Sequence, residues 1–173
     1  MTPRIAVQLY TVRDDLVADP AKTVARVAAL GAEGVEVVAG AVDPVVMQRL
    51  LADHGLVVCG VHGRLPGDGS ADVVRWRELE LLGADRLIAP TLSSGLPGAG
   101  DRDLRTEDGR ARALERFARA AQLAAVRGVK VGFHNHWWDW EDDGWGRFWK
   151  EVDDRVIAEV DAYWAQTAGR DPA

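Results

Sequence analysis

One joint recurs along this chain: the end of a helix, a glycine, and the start of an apolar run. Leu30-Gly31-Ala32-Glu33-Gly34, His54-Gly55-Leu56, Leu82-Gly83-Ala84-Asp85 and Arg127-Gly128-Val129 all take this form. A glycine at that point ends a helix in the left-handed conformation, which other residues resist. Helix followed at once by strand, again and again, implies a parallel sheet with right-handed crossovers. No other feature constrains the fold as tightly.

The spacing between joints places the elements. Arg4–Tyr10 reads as the first strand. Asp19-Pro20 opens a helix whose apolar face uses Val24, Val27, Ala28 and Leu30 and which ends at Gly31. Gly34–Val38 reads as the second strand, and Asp43-Pro44 as an N-cap with proline at N1, starting a helix through Met47, Leu50 and Leu51 to Gly55. Leu56–Val61 is the third strand, Ala71–Leu82 a helix, and Arg86–Ala89 the fourth strand. The glycine- and proline-bearing stretch Thr91–Asp103 reads as a mobile surface loop, with Ser93-Ser94-Gly95 a weaker candidate for a phosphate contact. A long helix from Thr106 to Arg127 shows a stripe of Leu114, Phe117, Ala118, Ala121 and Ala125. The run from Val129 to Phe133 and the run from Val156 to Asp161 supply strands five and six.

Two architectures fit this order. Five unit lengths separate Ile5 from Val156, so a unit takes about 30 residues and eight would take about 240. An open doubly wound sheet suits 173 residues. The polar residues argue otherwise. Gln8, Glu36, His62, His134 and Asp161 each stand at or near a strand end, and only a barrel brings all such ends to one mouth. No glycine-rich phosphate loop follows strand one, where Gln8-Leu9-Tyr10-Thr11-Val12-Arg13 stands instead. The expectation is an α/β chain of the (β/α)8 TIM-barrel type, with about six of the eight units in one partial domain spanning residues 1–173.

Phe133-His134-Asn135-His136 carries the chemistry. Period-two geometry puts Gly132, His134 and His136 on one face of strand five, and Ile157, Glu159 and Asp161 on one face of strand six. Neighbouring parallel strands then deliver imidazole and carboxylate together, which suits either a divalent metal or acid–base work. Glu159, one layer deeper, must pair if buried, with Lys130 or Arg4 as partners within reach of the sequence reading.

Composition narrows the rest. A net charge of −6 with no basic stripe argues against a nucleic-acid surface. The single cysteine, Cys59, excludes an internal disulfide and reads as a buried structural thiol. No signal-peptide pattern and no apolar run of membrane-spanning length is present, so the expectation is a cytoplasmic protein with no membrane partner.

In order along the chain, Gln8-Leu9-Tyr10-Thr11-Val12-Arg13, Gly34-Val35-Glu36, Val61-His62, His134-Asn135-His136 and Glu159-Val160-Asp161-Ala162-Tyr163-Trp164 resemble the sugar phosphate isomerase/epimerase group of the xylose isomerase-like TIM-barrel superfamily. The resemblance implies a divalent metal (manganese, magnesium, cobalt or zinc) at the C-terminal mouth. Asp161 matches the strand-six aspartate ligand, and His134 stands where the epimerases carry glutamate. The resemblance puts a further histidine and glutamate on strands seven and eight, beyond Ala173. On that basis the chain is expected to be a C-terminally truncated barrel.

The reaction it implies is metal-assisted proton transfer next to the carbonyl of a sugar or sugar phosphate, by an isomerase or epimerase. His134 and Asp161 are then the metal ligands, and His136 and Glu141 the candidate proton carriers. Gln8, Glu36, His62, Trp138 and Trp164 are the candidate substrate contacts. Six of seven tryptophans lie between Trp137 and Trp164; such rings either staple a loop to the rim or stack on sugar C–H surfaces. Three other readings stay open: a non-catalytic barrel piece that binds a sugar-like ligand, a dehydratase or lyase, and an abasic-site endonuclease disfavoured by the charge. Strands one and six, without neighbours, would expose parallel edges and permit a homo-oligomer.

Overall fold

The computed structural model describes residues 5–67, 70–92 and 103–172, with side chains left aside at 70–72 and 74. Six strands form one sheet in the order of the chain, β1-β2-β3-β4-β5-β6. The pairs β1–β2, β2–β3 and β5–β6 are parallel. No described helix is long and apolar enough to cross a membrane. The recurrent joint forms as its glycines require: Gly31, Gly55, Gly83 and Gly128 have φ between 64° and 86°. At the last three, Leu56, Ala84 and Val129 donate back to Leu51, Leu79 and Ala124 over 2.9–3.1 Å, closing Schellman motifs.

The chain divides into two compact units, Met1–His62 with Gly69–Arg86 and Gly63–Asp68 with Leu87–Ala173. The first holds β1 (Ala6–Gln8), α1 (Arg13–Ala18), α2 (Pro20–Ala29), β2 (Gly34–Val38), α3 (Pro44–Asp53), β3 (Val57–His62) and α4 (Ser70–Leu82). Strand one is shorter than the expected Arg4–Tyr10: Arg4 lies outside the described residues, and Leu9–Val12 winds into a 3-10 turn that buries Leu9. Asp19 and Asp43 cap their helices with side-chain oxygens, each with proline at the first helical position, as the sequence predicts. The core of this unit is aliphatic, with Leu16, Val24, Val35, Met47, Val61 and Leu79 among its buried side chains.

Strand three carries a feature the sequence does not announce. Pairing with β2 runs Val35↔Val58 and then Glu36↔Gly60, so Cys59 is an extra residue in the ladder. A β-bulge of this kind resets which residues share a face. In the unbulged register Val38 would face Val61; with the bulge it faces His62. Cys59 is therefore half-buried rather than fully buried as expected. Gly34 makes room beside it: a Cβ there would sit 2.7 Å from Cys59 Sγ and 2.8 Å from the Val57 carbonyl oxygen.

The second unit holds β4 (Arg86–Ala89, its first residue falling in the other unit), α5 (Glu107–Ala125), β5 (Lys130–His134), α6 (Gly144–Glu151), β6 (Val156–Glu159) and α7 (Ala162–Thr167). Its core is aromatic. The Phe133 ring lies 5.2 Å from Phe117, 5.4 Å from Trp145 and 5.6 Å from Phe148. Gly132 clears space on the other face of β5, where a Cβ would meet Ile88 Cδ1 at 2.4 Å.

β5 ends one residue past the expected Phe133, short of His136, and β6 ends two residues before the expected Asp161. His136 lies past β5 and leads into a 3-10 turn, Trp137–Asp143, and Asp161 lies past β6 as the N-cap of α7. The tryptophan-rich segment, expected as a loop, winds instead into that turn and α6 because Trp145 and Phe148, one helical turn apart, are buried together. The candidate phosphate contact at Ser93-Ser94-Gly95 lies outside the described residues.

Candidate functional site

In the first unit the polar strand ends meet. Gln8 stands directly opposite Glu36 in the β1–β2 register. The Gln8 Nε2 lies 3.2 Å from His62 Nε2 and 3.3 Å from His62 Nδ1. Glu36 Oε2 lies 3.2 Å from His62 Nε2. The His62 ring is buried while the Glu36 carboxylate stays partly open to solvent. These are the three residues expected from the sequence as substrate contacts in this part of the chain, and the bulge at Cys59 is what puts His62 on the Glu36 face.

The second unit builds its own cluster at the ends of β5 and β6. His134 stands between two carboxylates, with Glu159 Oε1 2.8 Å from Nδ1 and Asp161 Oδ2 3.7 Å from Nε2. Glu159 thus pairs with His134; Arg4, one of the two partners considered from sequence, lies outside the described residues. A carboxylate accepts hydrogen bonds, so Nδ1 carries the hydrogen toward Glu159. In the neutral ring Nε2 then presents its lone pair toward Asp161. At 3.7 Å the two face each other beyond hydrogen-bond reach.

A carboxylate on the far nitrogen of a histidine is the usual support of a metal-binding imidazole. Imidazole suits borderline divalent ions such as zinc or cobalt, and carboxylate also suits the harder manganese. The donor types that His134 and Asp161 present, with Glu159 on the far nitrogen of His134, are compatible with the group that the resemblance implies.

Around this pair lies an aromatic shell. The His136 ring stacks on Trp138 at 4.4 Å and 4°, and lies 5.8 Å from Trp164 and 5.1 Å from His134. One face of Trp138 is thereby covered by His136. The His136 main-chain N–H donates to Asp139 Oδ2 at 2.7 Å, which pins the start of the 3-10 turn. Glu141, the other residue considered as a proton carrier, meets Arg105 at 3.7 Å, a contact that ties its segment to the neighbouring turn. Asn135 is the residue the sequence reading passed over. It is fully buried between the two histidines, and its carboxamide bonds to the main chain of Asp161 on both sides. The sequence offered only the asparagine's place between two histidines; its burial and its partners come from the structure.

Several solved structures share this fold. A sugar phosphate isomerase/epimerase from Parabacteroides distasonis superposes with a TM-score of 0.76 at 20% identity, over 98% of this chain and 68% of its own. The probable 3-DHS dehydratase AsbF of Bacillus anthracis gives 0.71 at 15% identity, over 98% of this chain and 67% of its own. An AP endonuclease, family 2, from Brucella melitensis gives 0.68 at 20% identity, over 95% of this chain and 70% of its own. The chain thus spans about two thirds of the length of these proteins. No curated protein matches the sequence significantly. The model of the family described as xylose isomerase-like TIM barrel matches residues 24–173, most of the chain, and to that family the chain belongs.

Proposed function

We propose that this chain serves a sugar or sugar phosphate isomerase or epimerase that moves a proton on the carbon next to a carbonyl. The observation that carries the reading is His134 held between Glu159 and Asp161 at the C-terminal ends of β5 and β6, where enzymes of this architecture keep their chemistry. Solved relatives that include sugar isomerases and epimerases support it, among them an L-ribulose 3-epimerase.

In this reading His134 Nε2 and Asp161 Oδ2 hold a divalent ion, and Glu159 fixes the His134 ring by accepting from Nδ1. The ion, when bound, supplies Lewis acidity to a carbonyl oxygen and the hydroxyl beside it. His136 takes the substrate's α-proton: its ring lies 5.1 Å from that of His134 and is stacked on Trp138. Within the first unit, Gln8, Glu36 and His62 form a cluster of donors and acceptors of the kind that suits hydroxyl groups. Trp164 lies beside His136 as an apolar wall against the sugar. With its Arg105 contact, Glu141 takes a structural part.

The test is deuterium wash-in. The chain is incubated in D2O with Mn²⁺ and a panel of ketoses and ketose phosphates, and loss of the α-proton signal is followed by NMR. Wash-in that falls at least about 100-fold in His136→Ala and is abolished in His134→Ala is the expected result. An unsaturated product without wash-in would instead identify a dehydratase. No exchange with any ketose would sink the reading.

A further inference from the structure

β5–β6 pairing ends at His134↔Glu159, yet Asp161, two residues past the ladder, holds its carboxylate 3.7 Å from His134 Nε2. Something other than the sheet must fix it. The Asn135 side chain is 0% exposed and engages both main-chain groups of Asp161: Oδ1 accepts from the Asp161 N–H at 2.7 Å, and Nδ2 donates to the Asp161 carbonyl at 3.2 Å. Only this amide orientation works, because the reverse would set donor against donor and acceptor against acceptor. The carboxamide thus imitates one more peptide of the ladder.

A second bond fixes the rotation of the carboxylate. Asp161 Oδ1 accepts from the Trp164 N–H at 3.0 Å, which leaves Oδ2 as the oxygen aimed at His134. We propose that Asn135 is the positioning residue of the His134–Asp161 pair, setting the main chain of Asp161 so that its free oxygen faces the imidazole. This rests on the reading of that pair as cation ligands. Asn135 itself touches neither ion nor substrate.

Two measurements separate the clamp from the metal reading. The first is hydrogen exchange of the Asp161 amide by NMR in the ¹⁵N-labelled, metal-free chain; the second is calorimetric titration with Mn²⁺ alone. In the wild type the Asp161 N–H is expected to be protected although it lies outside the strand. Asn135→Ala should speed its exchange at least tenfold and raise the Mn²⁺ dissociation constant at least tenfold, while the Val131 and Phe133 amides stay protected. Asn135→Asp retains the acceptor for the Asp161 N–H but sets a second acceptor against the Asp161 carbonyl, so its exchange should fall between wild type and Asn135→Ala. If Asn135→Ala does not fold, Asn135→Ser, too short to span both groups, serves the same comparison.

Unchanged Asp161 exchange in the Ala or Ser variant overturns the clamp. Faster exchange with unchanged Mn²⁺ affinity overturns the positioning role. Absence of Mn²⁺ binding in the wild type defeats the metal reading alone, and the amide exchange then decides whether Asn135 sets Asp161.

Discussion

In the first unit, Gln8, Glu36 and His62 are the last residues of their strands or lie within the ladder, and backbone pairing aims them. In the second, only His134 and Glu159 stand in the ladder; His136, Asn135 and Asp161 lie past it and are aimed by side chains. The surroundings differ in the same sense. Val61, beside His62, belongs to an aliphatic core, whereas Phe133, beside His134, sits among Phe117, Trp145 and Phe148. Ladder hydrogen bonds come with any strand and need no particular side chain. Groups beyond the ladder need specific partners, so the second cluster is expected to be the more sensitive to substitution.

The largest test of that difference is truncation of the residue beside each histidine. Phe133→Ala should cost about 3–5 kcal/mol, since it leaves a cavity among three aromatic rings. Val61→Ala removes two methyl groups and should cost about 2 kcal/mol. Urea unfolding of both variants measures the two values. Equal losses would mean that the aromatic shell contributes no more than the aliphatic one.

A smaller effect is expected from filling the space at Gly34. An alanine Cβ there meets the Val57 carbonyl oxygen at 2.8 Å and Cys59 Sγ at 2.7 Å, and the carbonyl, being backbone, cannot rotate away. Separating β2 from β3 should cost about 1–3 kcal/mol and pull Glu36 from His62. Urea unfolding gives the cost, and NMR shifts of the His62 ring report the geometry. If the ring is undisturbed, the ladder is not what holds this cluster.

These contrasts explain what could be read from sequence. The helix-ending glycines, the capping aspartates and the span of β2 were legible because each depends on a local rule: a positive φ at Gly31 or Gly128, a side-chain oxygen at Asp19 or Asp43, alternation along Gly34–Val38. His62 and Glu36 were expected to share a site, but the bulge that makes this so was not legible, because a bulge depends on how two strands pair. Period-two reasoning carried His134 correctly. For His136 and Asp161 it used a strand geometry that neither residue has, since both lie past the ladder. Helix α6 was hidden by Gly144 and Gly146, which weaken helical propensity, and by tryptophans that suit a rim as well as a core. The part of Asn135 became visible only when the main chain of Asp161, past the end of β6, had been placed.

The smallest effect concerns how β6 is entered. β2, β3, β4 and β5 follow a glycine joint, whereas β6 follows a turn closed by charge. Asp153 Oδ1 accepts from the Arg155 N–H at 3.0 Å and from Arg155 Nε at 2.8 Å, and Oδ2 accepts from Nη2 at 2.5 Å. These bonds from Arg155, side chain first and then backbone, hold the Asp153 carboxyl at about 2, below its usual 3.8. A carboxyl whose folded value is lowered adds stability that is complete above the unfolded value and lost as pH falls through the folded one. The window is therefore about pH 3.8 down to about 2. Because Arg155 is half exposed, solvent screens the pair and its contribution is small. Wild type should melt slightly above Asp153→Asn at pH 5, and the two melting points should converge between those limits. A gap that persists at pH 2 would show that the turn into β6 is held by backbone bonds instead. Charge would then play no larger part in entering that strand than it does at the glycine joints.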